Sequence, residues 1–299
     1  MIYTITFNPS IDYIIQLDQF QEGTINKTTY EQIKPGGKGI NVSIVLNKLK
    51  HDTCALGFVA NSSGNMILDL LDKQKINHHF IQVADGFSRI NVKIKSNVES
   101  EINGNGPNIS SDEVKQLFQL LDHLHHDDLL VISGSIPKCL PNDIYEQILA
   151  YLQPKNIKII VDATKDLLLN VLKYHPFFIK PNHHELGELF NTTIHNQDDA
   201  IYYAKKLKAM GACNVLVSMA NQGAILIDET NNIYKANAFK GEVVNSIGAG
   251  DSMVAGFISG YLQTNDYAYA LKKGIACGCA STFSNELVPL DLLKQFLGN

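Results

Sequence analysis

Val243-Val244-Asn245-Ser246-Ile247-Gly248-Ala249-Gly250-Asp251 is the stretch whose reading decides the fold of this chain. An apolar run of strand character ends, three small residues make a tight turn, and an aspartate opens an apolar segment, Ser252 to Leu262, of helix length. Glycines let successive N–H groups crowd together and point one way, and a helix N-terminus adds partial positive charge. Such a turn can hold an anion. An aspartate at its rim can take the proton of a hydroxyl as that hydroxyl attacks a phosphoryl group. The same residues also read as a plain strand-to-helix turn with Asp251 as an N-cap. A second glycine-rich element near the other end, Gly36-Gly37-Lys38-Gly39-Ile40-Asn41, favours the first reading.

Composition narrows the classes. The 299 residues are long for one domain and short for two independent ones. A hydrophobic content of 45% supports a large core, and the net charge of −5 comes with no basic stretch of the kind that binds nucleic acid. Small molecules or further copies of the chain are therefore the expected partners. No apolar run reaches the roughly 18 residues of a membrane span, and the start, MIYTITFNPSID, lacks the pattern of a signal peptide. The five cysteines are odd in number, without a C-x-x-C pair, and read as reduced thiols of a cytoplasmic protein. The histidine clusters, His78-His79, His123 to His126 and His183-His184, offer no i, i+4 pair for a metal and read as surface or helix-end residues.

Apolar runs of strand length alternate with amphipathic runs of helix length. Strands are expected at Ile2–Phe7, Cys54–Val59, Leu129–Ser133, Ile157–Asp162, Phe177–Lys180, Val215–Met219 and Ala224–Ile227. Several are apolar throughout, as strands buried on both faces of a parallel sheet must be. The order predicts an α/β doubly wound sandwich, a mostly parallel sheet flanked by helices. Two segments break the rhythm. Residues 11–34 and 87–103 alternate apolar with polar residues and turn back on themselves, which predicts hairpins with one solvated face. They read as a small β-sheet lid on a single domain spanning 1–299.

The expected strand ends carry Asn8-Pro9-Ser10-Ile11-Asp12, the Gly36–Asn41 loop, Lys180-Pro181-Asn182 with Glu185, Ser218 to Gly223, and Asp251. Strand C-terminal ends are where open α/β sheets bind ligands. In order, spacing and turn chemistry the chain resembles the ribokinase-like (PfkB) carbohydrate kinases over essentially its whole length. Within them it is similar to the bacterial branch of 1-phosphofructokinase and tagatose-6-phosphate kinase. The opening residues 2–12 and Pro35 to Ser43 carry that likeness, and Arg89–Lys93 with Glu101–Pro107 narrow it toward the 1-phosphofructokinases.

The resemblance implies roles residue by residue. Asp12 would accept hydrogen bonds from sugar hydroxyls, and Gly37 and Asn41 would line the sugar pocket. Lys38 and Arg89, the chain's sole arginine, would meet the phosphate already on the sugar, with Lys27 of the lid as a third contact. Asn182 and Glu185 would organise Mg2+ through water; Lys180, Ser218, Gly223 and Gly250 would serve ATP. Gly248, Ala249 and Gly250 would form the anion hole, and Asp251 would be the general base.

The departures from the family pattern are Asn245-Ser246 for Asp-Thr, Ala220 for a glycine, and Ile44 for an arginine. The first leaves activation by K+ open. The second predicts a backbone angle that a residue with Cβ tolerates. The third removes a polar contact near the phosphate or the lid. The implied activity is ATP-dependent phosphorylation of D-fructose 1-phosphate at O6, the alternative being tagatose 6-phosphate at O1, in a homodimer joined through the lid. A non-catalytic sugar-phosphate sensor is disfavoured by the retained Asp251 and glycine turn. A dinucleotide oxidoreductase is disfavoured because no G-x-G-x-x-G follows the first strand.

Overall fold

A computed structural model describes residues 1–298. The chain opens with β1 (Ile2–Thr6), β2 (Ser10–Gln16), β3 (Tyr30–Gly36) and α1 (Lys38–Lys48). Next come β4 (Thr53–Ala60), α2 (Asn61–Lys73), β5 (His78–Val83), β6 (Arg89–Lys95) and β7 (Ser100–Asn103). The middle holds α3 (Ser111–Leu121), β8 (Leu129–Ser133), α4 (Ile144–Leu152), β9 (Lys158–Asp162), α5 (Lys165–Val171), β10 (Phe178–Ile179) and α6 (His183–Leu189). Then follow α7 (Gln197–Ala209), β11 (Asn214–Ser218), β12 (Ala224–Ile227) and β13 (Ile233–Ala236). Three helices close the chain: α8 (Ala249–Thr264), α9 (Tyr267–Thr282) and α10 (Leu290–Leu297).

Nine strands form the main sheet in the order β13-β12-β11-β10-β9-β8-β1-β4-β5. All neighbours are parallel except at β12, which is antiparallel to both β11 and β13. The predicted mostly parallel sandwich is therefore present. Strand β8 shows why its sequence is apolar throughout: Leu130 and Ile132 enter one core while Leu129 and Val131 enter the core on the opposite face. Each such side chain contributes about 1.5–3 kcal/mol on burial. The chain leaves β1 toward β4 and β5 on one side, and β8 to β11 extend the sheet on the other. The reversal of winding beside β1 opens a crevice at the strand C-terminal ends.

A second, smaller sheet of four strands in the order β3-β2-β6-β7 holds the segments read from the sequence as a lid, and that label is kept for it. Its two hairpins, β2–β3 and β6–β7, join through a parallel pairing of β2 with β6 that sets Asp12 opposite Asn91.

Three expectations are corrected. Val243-Val244 is not a strand: residues 237–247 have no regular structure, and Val244 and Asn245 instead donate their N–H groups to the Thr282 carbonyl. Asp251 is not an N-cap; α8 begins two residues earlier, Gly248 is the cap, and Asp251 is the third residue of the helix. Two strands go beyond the expected set, β5 and β13, both at sheet edges. Their mixed polar sequences, HHFIQV and IYKA, carry none of the doubly buried pattern that marked the others. The His78-His79 pair lies at the surface as expected, His79 exposed and His78 half-buried, where it opens the edge strand β5. All five cysteines are free thiols. Among the described residues no helix is long and apolar enough to cross a membrane.

Candidate active site

The Gly248 turn builds the centre of the site. Gly248 has φ +77°, and a Cβ there would lie 2.6 Å from Leu287 Cδ2, so the position requires glycine. The first bond of α8 runs from the Ser252 N–H to the Gly248 carbonyl at 2.9 Å. The N–H groups before it have no acceptor within the helix. Ala249 makes only a long 3.4 Å bond to the Ser246 carbonyl. Donors and helix dipole thus converge where Asp251 sits.

Asp251 is 5% exposed and accepts a 2.8 Å hydrogen bond on Oδ2 from Asn41 Nδ2. Burial, then repulsion from Asp162, pushes its carboxyl from the ordinary 3.8 up to about 6; Lys38, Asn41 and Lys180 pull the other way. A carboxylate poised near neutral pH is suited to accept a proton during reaction.

The Gly36–Asn41 loop carries Asn41 to that place. A Cβ on Gly36 would fall 2.4 Å from Ser10 Oγ and 2.5 Å from Asp12 Oδ1, and one on Gly39 would fall 2.6 Å from the Ile5 carbonyl. Only glycine allows this approach of α1 to the ends of β1 and β2. The Ile40 N–H donates to Thr6 Oγ1 at 3.0 Å and fixes the first turn of α1.

Lys38 and Lys180 share one carboxylate that sequence reasoning missed. Asp162 Oδ2 lies 3.4 Å from Lys38 Nζ, and Oδ1 lies 3.5 Å from Lys180 Nζ. Asp162 is almost fully buried; burial alone would raise its pKa, but the two ammonium groups outweigh it and hold the carboxyl below its ordinary value. Lys38 is held above its ordinary value chiefly by Asp162, against burial, with smaller help from Asp251 and Glu185. Lys180 also reaches under α8, its Nζ 3.4 Å from where a Cβ on Gly250 would be. An aspartate ending the apolar run Ile159–Val161 of a parallel strand was the signal that would have found it.

Beside Lys38 lies a cavity of about 370 Å³ lined by Arg89, Asn8, Ser133, Gly134 and Asp162. Arg89 Nε donates to the Asn8 carbonyl at 3.0 Å, which orients the guanidinium at the cavity wall. A second cleft of about 740 Å³ runs between the lid and α1, where Asp12, Asn41, Lys34 and Ile44 line it. Of the predicted residues, Gly37, Lys38 and Arg89 line the first cavity and Asp12 and Asn41 line the second; Asp251, after the Gly248–Gly250 turn, meets the second through Asn41. Lys27 is exposed in the loop between β2 and β3 and lines neither cavity.

Of the predicted nucleotide-side residues, Asn182, Glu185, Ser218 and Gly223 line neither cavity, while Lys180 lies 3.5 Å from Asp162 at the wall of the first. Asn182 and Glu185 form a capping box on α6: Asn182 Oδ1 accepts from the Glu185 N–H, and Glu185 Oε2 accepts from the Asn182 N–H, both at 2.8 Å. Each keeps polar capacity beyond the cap, since Glu185 Oε1 and the Asn182 amide nitrogen take no part in it. Among the described residues no group of three or more His, Cys, Asp or Glu could hold a metal. This donor set fits Mg2+ whose remaining ligands are waters and phosphate oxygens. Ser218 bridges to Asn182, which brings the two loops side by side. Gly223, at φ +85°, lets the backbone pass where a Cβ would meet the Ala236 carbonyl at 2.0 Å.

Two departures resolve differently from expectation. Ala220 has φ +48°, in the left-handed region that disfavours a residue with Cβ. Ile44 leaves no polar gap; it is buried in an apolar cluster with Ile11, Ile40 and Ile67 beneath the lid.

A carboxylate with a raised pKa at a helix N-terminus, two lysines on a buried aspartate, and an arginine at a cavity wall can together bind phosphate groups and deprotonate a hydroxyl. The model of the pfkB family carbohydrate kinases matches residues 5–288. A 1-phosphofructokinase of Bacillus subtilis is 43% identical over 298 residues, covering 99% of this chain and 97% of its own length. A D-tagatose-1-phosphate kinase of Bacillus licheniformis is 35% identical over 296 residues, covering 99% and 97%. The crystal structure of phosphofructokinase-2 from Escherichia coli in complex with fructose-6-phosphate is similar at a TM-score of 0.91 and 26% identity, covering 99% of this chain and 98% of that one.

Proposed function

The chain belongs to the pfkB family of carbohydrate kinases, and from that premise we propose that it transfers the terminal phosphoryl group of ATP to O6 of D-fructose 1-phosphate. The products are fructose 1,6-bisphosphate and ADP. Asp251 accepts the proton of the 6-hydroxyl as its oxygen bonds to the γ-phosphorus, and the bond from that phosphorus to the bridging oxygen of ADP breaks. The turn at Gly248, Ala249 and Gly250 supplies N–H donors to the charge on the moving phosphoryl group. Arg89 and Lys38 anchor the sugar's existing phosphate, Asp12 and Asn41 meet its hydroxyls, and Lys180 faces the phosphates of ATP. Magnesium, held through water by Asn182 and Glu185, would neutralise the charge of those phosphates.

The observation that carries this reading is the placement of Asp251, paired to Asn41 of the second cleft, pushed up to about 6, and within the field of Lys38, which lines the cavity that holds the chain's single arginine. The lid exposes Ile33, Ile90 and Ile102. This apolar set supports a homodimer joined through the lids, to be checked by light scattering on wild type and an Ile102→Lys variant.

A second reading has support from the tagatose-1-phosphate kinase relative: the C4 epimer, tagatose 1-phosphate, with the same O6 acceptor. The test compares kcat/KM with ATP for fructose 1-phosphate, tagatose 1-phosphate, tagatose 6-phosphate and fructose 6-phosphate. Fructose 1-phosphate is expected to lead by about tenfold or more, because each mismatched hydroxyl leaves a buried polar group unpaired at about 1–3 kcal/mol. Equal or faster turnover of either tagatose phosphate would replace the assignment.

A further inference from the structure

Asn91 is the third residue of β6 and is 5% exposed. A buried amide must use its hydrogen bonds, and this one uses both ends. Its Nδ2 donates to Asp12 Oδ1 at 3.0 Å, and its Oδ1 accepts from the Gly104 N–H at 3.3 Å. Ser10 Oγ donates to the same Asp12 Oδ1 at 2.7 Å. Both protein donors therefore sit on one carboxylate oxygen. Asp12 Oδ2 has no protein donor and is the oxygen left for a ligand. The Gly104 backbone in turn packs on Arg89: a Cβ there would lie 3.1 Å from Arg89 Cβ and 3.0 Å from the Ile90 carbonyl. One side chain thus ties the hydroxyl acceptor, Asp12, to the turn that backs the phosphate anchor, Arg89.

We infer that Asn91 is a positioning residue for sugar recognition: it orients the Asp12 carboxylate so that Oδ2 meets a substrate hydroxyl, and it keeps Asp12 in register with Arg89. The inference rests on the reading of Asp12 as a sugar contact. Asn91 itself touches no substrate. An amide serves here because it donates to the carboxylate with one end and accepts from a backbone N–H with the other; a carboxylate could not donate and a hydrocarbon could do neither.

The test is a cycle of Asn91→Ala, Asp12→Asn and the double variant, with KM for fructose 1-phosphate, KM for ATP and kcat measured for each. Thermal melting is recorded alongside. Asn91→Ala should raise the sugar KM by about tenfold, the worth of one hydrogen bond to a charged group, with ATP KM held within about twofold. The double variant should bind sugar no worse than Asp12→Asn alone, because both changes remove one interaction. Multiplying effects in the double variant, or equal losses for sugar and ATP, would overturn the inference. An unchanged sugar KM in Asp12→Asn would overturn it together with the reading of Asp12. A normal sugar KM in Asn91→Ala beside a raised one in Asp12→Asn would overturn the inference alone.

Asn91→Asp keeps the shape of the side chain and guards against misfolding of the alanine variant. It sets two carboxyl groups about 3 Å apart, which cannot both ionise freely. At low pH the shared proton restores a donor to Asp12; as the pair ionises, Asp12 is pushed away. Its sugar KM relative to wild type should therefore climb by about fivefold or more from pH 6 to 8.5, on the scale of one lost hydrogen bond. A ratio flat across that range would overturn the inference, since a residue that serves only packing would not produce this slope.

Discussion

Asn41 on α1 and Asp251 on α8 meet through one 2.8 Å hydrogen bond, although 210 positions separate them in the chain. Each of the two glycine-rich turns delivers one partner. The Gly36–Gly39 backbone lets α1 press against β1, and the Gly248 turn sets the start of α8 across from it. The amide stabilises the charged form of a carboxylate that burial and Asp162 both oppose. These opposing effects leave the Asp251 carboxyl able to change its charge near neutral pH.

Replacing Asp251 with Asn removes the proton acceptor while keeping the shape of the turn. Loss of a general base lowers the rate by about 10²–10⁴, so kcat should fall that far while KM for both substrates changes little. A variant with more than about a tenth of wild-type kcat would show that Asp251 is not the base. The same variant has a second, independent signature. The folded carboxyl titrates at about 6 against an ordinary 3.8, so between those values the folded state binds more protons than the unfolded state. Stability of the wild type must then fall as pH rises through that window, by up to about 3 kcal/mol in total. Asp251→Asn should be the more stable protein above pH 6, and the advantage should vanish below about pH 4. Denaturant melts across this range provide the check.

Asn41→Ala and Asp162→Asn should move the acid limb of the kcat profile in opposite directions. In the wild type, activity should rise with pH through about 6 as Asp251 loses its proton. Asn41→Ala removes a donor to the carboxylate and should shift that limb to higher pH. Asp162→Asn removes a repelling charge and should shift it to lower pH. Parallel shifts in the two variants would show that some other group sets the limb.

Asp162→Ala should also unfold more readily, because it leaves the buried ammonium of Lys180 without a carboxylate. Removing one partner from a buried ion pair costs about 3–5 kcal/mol. The double variant Asp162→Ala/Lys180→Met should recover much of that loss, since no uncompensated buried charge remains. The comparison is made by denaturant melting at pH 7. Failure of the methionine to restore stability would mean that Asp162 acts mainly through Lys38 or through packing.

Arg89→Ala should act on the phosphorylated sugar. A charge-assisted hydrogen bond is worth about 1.5–3 kcal/mol, so KM for fructose 1-phosphate should rise about tenfold or more while ATP affinity stays near wild type. Equal damage to ATP binding would place Arg89 elsewhere or show that its bond to the Asn8 carbonyl supports the fold.

The main sheet was legible because parallel strands buried on both faces are apolar along most of their length, and β8, β9 and β11 each hold a run of three or four apolar residues with their polar residues at the ends. The lid was legible for the opposite reason, since alternation in Arg89–Lys95 marks a strand with one face in water. The edge strands β5 and β13 escaped notice because an edge is defined by its neighbours and not by its own composition. The segment before Gly248 misled for a related reason. Val243-Val244 has strand character, but the Val244 N–H is taken by the Thr282 carbonyl at the end of α9 and not by a strand.

What the sequence determined by itself was the set of positions where chemistry requires a particular residue. Gly39 is demanded by the approach of the Ile5 carbonyl, Gly36 by the side chains of Ser10 and Asp12, and Gly248 by its φ of +77°, and an aspartate after a glycine turn is a candidate base. What only the tertiary structure decided was how those groups are charged and coupled. Asp162 became part of the site when β9 ended between Lys38 and Lys180, and the Asn182–Glu185 pair proved to cap its own helix. The pKa of Asp251 is set by burial, by Asp162 and by Asn41, which lie far from it in the chain. Coulomb energy and desolvation depend on distances through space, and those distances exist only once the chain has folded.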